Sequence, residues 1–212
     1  MKKVILMIAF VTLAVTNSNA QTTSNDNRET LSFGLKIGAN YSNVYDTNNE
    51  DFVADSKLGF AAGGFVAIPL GKFIGIQPEL MYSQKGFKST GTYLGSTYSM
   101  TRTTDFIEVP LLFAVKPIGE LTLLFGPQFS YLMTQKDDFT GGTISSTQQQ
   151  DFDNNNIRKN IMGLTGGADL NFGNLVIGVR AAWDVKDNEG DGTSTTPRYK
   201  NMLYQATVGY RF

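Results

Sequence analysis

The chain of 212 residues has no histidine and no cysteine. Without cysteine there are no disulfides, no thiolate chemistry and no lipoprotein anchor. Without histidine the chain lacks the commonest general base, the usual partner of a serine nucleophile and the commonest metal ligand. That absence weighs against an enzyme. A net charge of -1 offers no basic surplus for nucleic acid. Past the first 20 residues, no apolar run is long enough for a helix to span a bilayer. Proline is sparse, at 6. Yet Pro69, Pro78, Pro110 and Pro127 fall inside segments that otherwise read as strands, where each removes a ladder hydrogen bond.

What the chain does have is 22 glycines, 12% aromatic residues and a sustained period of two. The clearest stretch is Asp105–Met133, two apolar runs joined at Lys116–Glu120 by a connector with Pro117 and Gly119, a hairpin signal. Ile107, Val109, Leu111, Phe113 and Val115 share one face of the first run; Glu108, Pro110, Leu112, Ala114 and Lys116 share the other. In the second run Leu121, Leu123, Phe125, Phe129, Tyr131 and Met133 alternate with Thr122, Leu124, Gly126, Gln128, Ser130 and Leu132. One face is wholly apolar and the other mixes small, polar and charged groups. An outer-membrane barrel reads this way, with lipid as the apolar phase and a polar interior.

Met1–Ala20 has a basic start at Lys2 and Lys3, an apolar core over Val4–Val15 and small residues before Gln21, the form of a secretory signal peptide (residues 1–20). Residues 21–30 are polar and expected to be a flexible leader. Residues 31–212 then form the barrel domain. Its expected strands are Leu31–Val44, Leu58–Leu70, Phe73–Phe87, Thr101–Lys116, Leu121–Thr134, Asn160–Phe172, Leu175–Asp187 and Lys200–Phe212. Long connections at Tyr45–Lys57, Lys88–Met100, Gln135–Lys159 and Asn188–Tyr199 alternate with tight turns such as Gly71–Lys72 and Gly173–Asn174. The expected fold is therefore all-β, an eight-stranded antiparallel up-and-down transmembrane β-barrel in the bacterial outer membrane, with long outer loops and both termini periplasmic. Tyr41, Phe60, Tyr82, Tyr131, Trp183 and Tyr204 fall near the outer strand ends; Phe172, Tyr210 and Phe212 fall near the inner ends. These are expected to form two interfacial aromatic girdles.

The inward faces collect Lys36, Glu79, Lys85, Glu108, Lys116, Asp169, Arg180, Asp184 and Arg211. An eight-stranded barrel is just wide enough for side chains to fill it, so these charges are expected to pair into a plug. Glu79 and Glu108 lie on neighbouring strands, with Arg180 expected to bridge them and Arg211 or Lys36 as a second donor. As an acid–base pair they would be the one catalytic arrangement available, and the plug reading is preferred. Loop acids (Asp46, Glu50, Asp51, Asp55, Asp151, Asp153, Asp187, Glu189, Asp191) read as solvated charge. The run Asp187–Asp191 lacks the full pattern of a calcium loop. No cofactor and no metal are expected.

The segments GFAAGGFVAIPLGKFIGIQPELMYSQKG, DFIEVPLLFAV and LLFGPQFSYLM resemble the PorT-type outer-membrane β-barrel domain, a family abundant in Bacteroidetes. Gln77–Leu80, Ile107–Leu112 and Gly126–Pro127 carry most of the resemblance, which covers residues 31–212. The family also has prolines at these places. The final Phe212 with Tyr210 resembles the C-terminal signal read by the barrel-assembly machinery. The family's founder is linked to type IX secretion, a role that likeness of fold does not transfer.

The reading that results is a small outer-membrane barrel with a structural, adhesive or assembly role. Its expected partners are outer-membrane lipid and lipopolysaccharide, the barrel-assembly machinery and an unidentified extracellular ligand. A narrow channel or secretion accessory is the alternative. A lipid-modifying barrel enzyme and a soluble lipocalin-like binder rank lower.

Overall fold

The computed structural model describes residues 27–45, 54–93, 96–141, 144–149, 158–188 and 198–212. The signal-peptide segment and most of the loop acids lie outside the described residues. Among the described residues there are nine strands: β1 Ser32–Tyr45, β2 Ala54–Pro69, β3 Ile74–Tyr93, β4 Ser96–Ile118, β5 Leu121–Gly141, β6 Ile144–Gln149, β7 Asn160–Phe172, β8 Leu175–Asp184 and β9 Lys200–Arg211. Eight of them close a barrel in the order β1, β2, β3, β4, β5, β7, β8, β9, with every neighbouring pair antiparallel and β9 pairing back onto β1. Strand β6 pairs with β5 above the barrel wall.

The alternation seen in the sequence sorts the side chains by face. Along β8, Leu175, Ile177, Val179 and Trp183 are exposed, whereas Val176, Arg180, Ala182 and Asp184 are buried. An aqueous globular protein hides its aliphatic residues and exposes its charges. Here Val179 is 56% exposed and Lys85 is 1% exposed, so the apolar phase this fold requires lies outside the barrel. From Phe73 at the foot of β3 to Tyr82 the strand covers about 30 Å, or about 23 Å along an axis tilted by about 40°. That is close to the roughly 25 Å apolar band of outer-membrane barrels.

The aromatic residues stand at two heights. Tyr41 pairs directly with Tyr204, and Tyr82, Ile107 and Tyr131 share one rung across β3, β4 and β5. Phe60 opposite Ala39 and Trp183 opposite Leu164 extend this ring. At the other end Tyr210 pairs with Leu35 and Leu175, Phe172 pairs with Leu175, and Phe212 stacks on Phe33 with ring centroids 5.3 Å apart.

Two of the expected loops are strand. The Lys88–Met100 segment continues β3 and opens β4, with Lys88 opposite Thr101 and Ser89 opposite Met100. Within Gln135–Lys159, β5 runs on to Gly141 and β6 folds back on it. Together β3, β4, β5 and β6 make a sheet that projects past the outer aromatic ring. From Tyr82 to Tyr93 it gains about 36 Å of strand. The Thr, Ser and Asp content of these segments suggested turns, but both faces of a strand in water can be polar. Smaller shifts are that β2 starts at Ala54, that β8 ends at Asp184 instead of Asp187, and that β9 ends at Arg211.

The prolines are accommodated without bulges. The β3–β4 ladder has no pairing at Glu79 and Leu80, beside Pro78, and the β4–β5 ladder none at Leu111 and Leu112, beside Pro110; the register is the same on either side of each gap. The register shifts lie elsewhere. One falls between Ser56 and Ala61 of β2. A second, between Val115 and Ile118, lies at the β4–β5 turn beside Pro117. The third leaves Met133 unpaired, because Asp105 pairs with Thr134 and Phe106 with Leu132. Gly86, at φ 148°, sits against the Arg102 carbonyl, where a Cβ would approach to 2.0 Å. Only glycine satisfies both demands there.

Candidate functional site

The lumen is filled in tiers. In the lower tier Lys36 Nζ donates to Glu79 Oε2 at 2.5 Å, and Arg180 lies between Glu79 (Nη2 to Oε1, 3.4 Å) and Asp169 (Nη1 to Oδ1, 2.8 Å; Nη2 to Oδ2, 3.0 Å). Gln77 Nε2 donates to Glu79 Oε1 at 2.9 Å and to Asp169 Oδ2 at 3.3 Å. Two cations face two carboxylates, so the tier is neutral. Room for it comes from Gly178: a Cβ there would meet Asp169 Oδ1 and Thr207 Oγ1 at 2.6 Å each.

In the upper tier Lys85 Nζ is 2.7 Å from Glu108 Oε1 and 3.7 Å from Asp184 Oδ1, and lies 4.9 Å from the Phe106 ring centre. One cation meets two carboxylates here. Neutral donors meet the remaining demand: Gln128 Nε2 and Ser130 Oγ reach Glu108 at 2.9 and 3.2 Å, and Asn201 Nδ2 reaches Asp184 at 2.6 Å. Alongside, Gln205 Nε2 donates to Asn40 Oδ1 and Asn40 Nδ2 donates to Ser83 Oγ. A gap of about 10 Å³ bounded by Glu79, Glu108, Arg180 and Gln205 lies between the tiers, the space of one water.

A third layer caps the lumen at the level of the projecting sheet. Arg102 makes a two-pronged pair with Asp137, 2.7 Å from Nε and 2.7 Å from Nη2. Its guanidinium also lies 5.8 Å from the Phe87 ring centre and 5.9 Å from that of Tyr199. Phe87, Tyr199 and Val44 form a small apolar cluster, with Ala54 and Met100 against it. Burial opposes the Arg102 charge, but the Tyr199 hydroxyl and the Asp137 carboxylate outweigh it and hold the guanidinium protonated above its ordinary range. This pair ties β4 to β5 where the two strands leave the wall. Replacing Arg102 by Met is expected to strand Asp137 and loosen the sheet. Limited proteolysis should then cut within residues 88–141 faster than in the parent, with the barrel itself still folded; unchanged cleavage would show that the pair does not hold the sheet.

All the lumen residues named from the sequence point inward, but their partnering differs from the expectation. Arg180 does not bridge Glu79 to Glu108; it spans Glu79 and Asp169, because Gly167 of β7 lies opposite Arg180 of β8 and draws it toward β7. Glu108 has its own cation, Lys85. Arg211 pairs across from Gly34, a rung below Lys36, and donates to Asn171 Oδ1 at 2.6 Å instead of to a glutamate. Both oxygens of Glu79 and the Oε1 of Glu108 are engaged in these contacts. Among the described loop acids, Asp187 pairs with Arg158 at 3.5 Å. No metal-holding group of acids exists among the described residues.

Arg102 and Asp137 were not singled out in the sequence. Arg102 shares parity with Glu108 and could have been found by carrying the alternation outward. Asp137 could not. The unpaired Met133 shifts the phase, so that Gln135 and Asp137 face inward where strict alternation would turn in Thr134 and Lys136.

A closed antiparallel barrel with an apolar exterior, aromatic rings and a polar, tightly paired interior is the architecture of a small bacterial outer-membrane protein. Residues 19–187 match the family described as outer membrane protein beta-barrel domain, and the chain belongs to that family. Among solved structures it is similar to the Neisserial surface protein A, with TM-score 0.50 and 12% identity over 87% of this chain and 100% of that one. It is also similar to a major outer membrane protein from Thermus thermophilus (0.49, 13%, 86% and 100%) and to Ail, the attachment invasion locus protein of Yersinia pestis (0.47, 14%, 85% and 98%). These likenesses concern the fold. No curated protein matches the sequence.

Proposed function

We propose that this protein is a non-conducting, non-catalytic outer-membrane anchor that holds a β-sheet outside the cell for contact with an extracellular partner. The observation that carries this reading is the projecting sheet of β3–β6 standing over a lumen whose charges are already paired. A barrel that spends its interior on packing leaves its outer surface to act. In this reading both ends of the barrel wall, before Ser32 and after Arg211, face the periplasm. The finer placement with the PorT-type barrels rests on the segments quoted above.

Partners follow from position. Outward-facing Lys57, Lys88 and Lys136 are interspersed with Asp55, Asp105 and Asp138 just above the Tyr82 ring, at the height of lipid headgroups. Lipopolysaccharide phosphates suit the lysines, and cations shared with phosphate suit the acids. The outward Tyr210 on the last strand and Phe212 just after it are the surface offered to the barrel-assembly machinery.

The test has three readings. The protein should fractionate with the outer membrane and migrate differently on gels with and without heating. Protease added to intact cells should cut the projecting sheet; cutting only after the envelope is opened would reverse the orientation. Deleting residues 89–100, which rejoins the paired Lys88 and Thr101, should remove surface attachment or self-association while the barrel still folds. Stepwise conductance in planar bilayers, or attachment unaffected by the deletion, would defeat the proposal.

A further inference from the structure

The projecting sheet ends in an edge. Strand β6 pairs with β5 from Gln149 opposite Lys136 to Ile144 opposite Gly141, and among the described residues no strand pairs with its other side. That ladder runs without a register shift. A strand edge in water presents a row of backbone donors and acceptors, and folded proteins commonly blunt such edges with lysine, proline or a bulge. The segment Ile144–Gln149, ISSTQQ, has no proline, no glycine and no charge. The charges stand one strand back, where Lys136, Asp137 and Asp138 of β5 face Gln149, Gln148 and Thr147. An uncharged, proline-free segment that ends in glutamines has the composition of strands that pair with copies of themselves. Setting it against its own copy brings no like charges together.

Symmetry decides where such a copy has to be. Two identical strands that pair antiparallel are related by a two-fold axis perpendicular to their sheet. The sheet continues the barrel wall, so its plane contains the membrane normal and the two-fold lies parallel to the membrane. A rotation about that axis turns the second barrel upside down. The second copy is therefore held in a facing membrane. Two copies in one membrane are related by an axis along the normal, which leaves both β6 strands running the same way and forbids the antiparallel ladder. The middle of β6 stands about 20 Å above the Tyr131 ring, so the rings of the two membranes would be about 40 Å apart.

We propose that β6 is a self-recognition edge, which joins this protein to a second copy on an adjacent cell by antiparallel pairing of Ile144–Gln149. The proposal rests on the reading that the sheet stands outside the cell, and it names the partner. A six-residue ladder is weak alone. Two membranes that each display many copies convert it into a multivalent contact. A neighbouring cell carrying the same protein presents such an array, already turned the right way for pairing.

The test uses two differently coloured populations of a host bacterium with short lipopolysaccharide. Expressing cells of both colours should clump together, and expressing cells should not clump with non-expressing ones. Ser146 lies at the middle of β6 opposite Phe139, on the two-fold axis or one residue from it. Ser146→Lys on both populations, or Ser146→Glu on both, sets like charges across the junction and should abolish clumping. Mixing the Lys population with the Glu population should restore it. Heat-dependent gel migration of both variants shows that the barrel has folded. Clumping of expressing with non-expressing cells, or clumping unchanged in the like-charged mixtures, would overturn self-recognition. So would a sheet that protease cuts on intact cells that nevertheless do not clump, and the anchor reading would then stand with another partner. A sheet that protease reaches only after the envelope is opened would defeat both.

Discussion

Replacing Glu79 by Ala is expected to lower the barrel's stability by about 3–5 kcal/mol, the usual cost of stranding one member of a buried ion pair. Lys36 is 5% exposed, and its ammonium has Glu79 as its ion-pair partner at 2.5 Å. With the carboxylate gone, a cation remains in a space closed to water, and Arg180 loses its second acceptor. The double replacement of Lys36 by Met and Glu79 by Leu should behave differently. It removes one charge of each sign, leaves the paired Arg180 and Asp169 in place, and fills the same volume with apolar atoms. Such exchanges are often neutral or stabilising. Urea titration of the protein folded into lipid vesicles gives both values. The single variant should unfold at distinctly lower urea and the double variant near the parent. Because the pair is buried, the gap should change little between low and high salt. A double variant as unstable as the single one would mean that Lys36 and Glu79 do not act as a pair.

The same tier shows what was readable in advance. That Lys36, Glu79, Asp169 and Arg180 face a common interior follows from period two alone, since alternation fixes the face of each residue once one face is assigned to lipid. Strand count and closure followed from the same signal plus the turn residues. Which cation meets which carboxylate did not. Arg180 turns toward Asp169 because Gly167 and Gly178 leave room on β7 and β8, a matter of small residues on neighbouring strands that linear spacing does not report. The projecting sheet escaped for a different reason. Above the membrane neither face of a strand needs to be apolar, so the alternation that identifies wall strands disappears while the ladder continues from Lys88 to Tyr93 and from Gln135 to Gly141. The bulge at Met133 then shifted the phase and hid Asp137. The contact of Arg28 with the Pro117 carbonyl lies beyond any periodicity argument, because it is made by a 3-10 turn, Asn27–Glu29, outside the sheet.

An arginine at the middle of the outer face should cost far more than one at its rim. Val179 stands on β8 midway between Leu175 at the lower aromatic ring and Trp183 at the upper one, flanked by Ala168 and Ala206. A guanidinium there has hydrocarbon on all open sides and only alanines as neighbours, so Val179→Arg should destabilise the barrel in bilayers by about 2–4 kcal/mol. Leu58 is 72% exposed and pairs with Tyr41, at the height of the upper ring. An arginine at that depth reaches headgroups with little bending, and Leu58→Arg should cost about 0–1 kcal/mol. Both substitutions replace an outward aliphatic residue by the same side chain, so depth is the main variable. Urea titration in vesicles measures the difference, and repeating it with a shorter-chain lipid should narrow the gap as the hydrocarbon thins toward Val179. Equal costs at the two positions would mean that the exterior of this barrel does not face a hydrocarbon layer, and the membrane reading would fall with it.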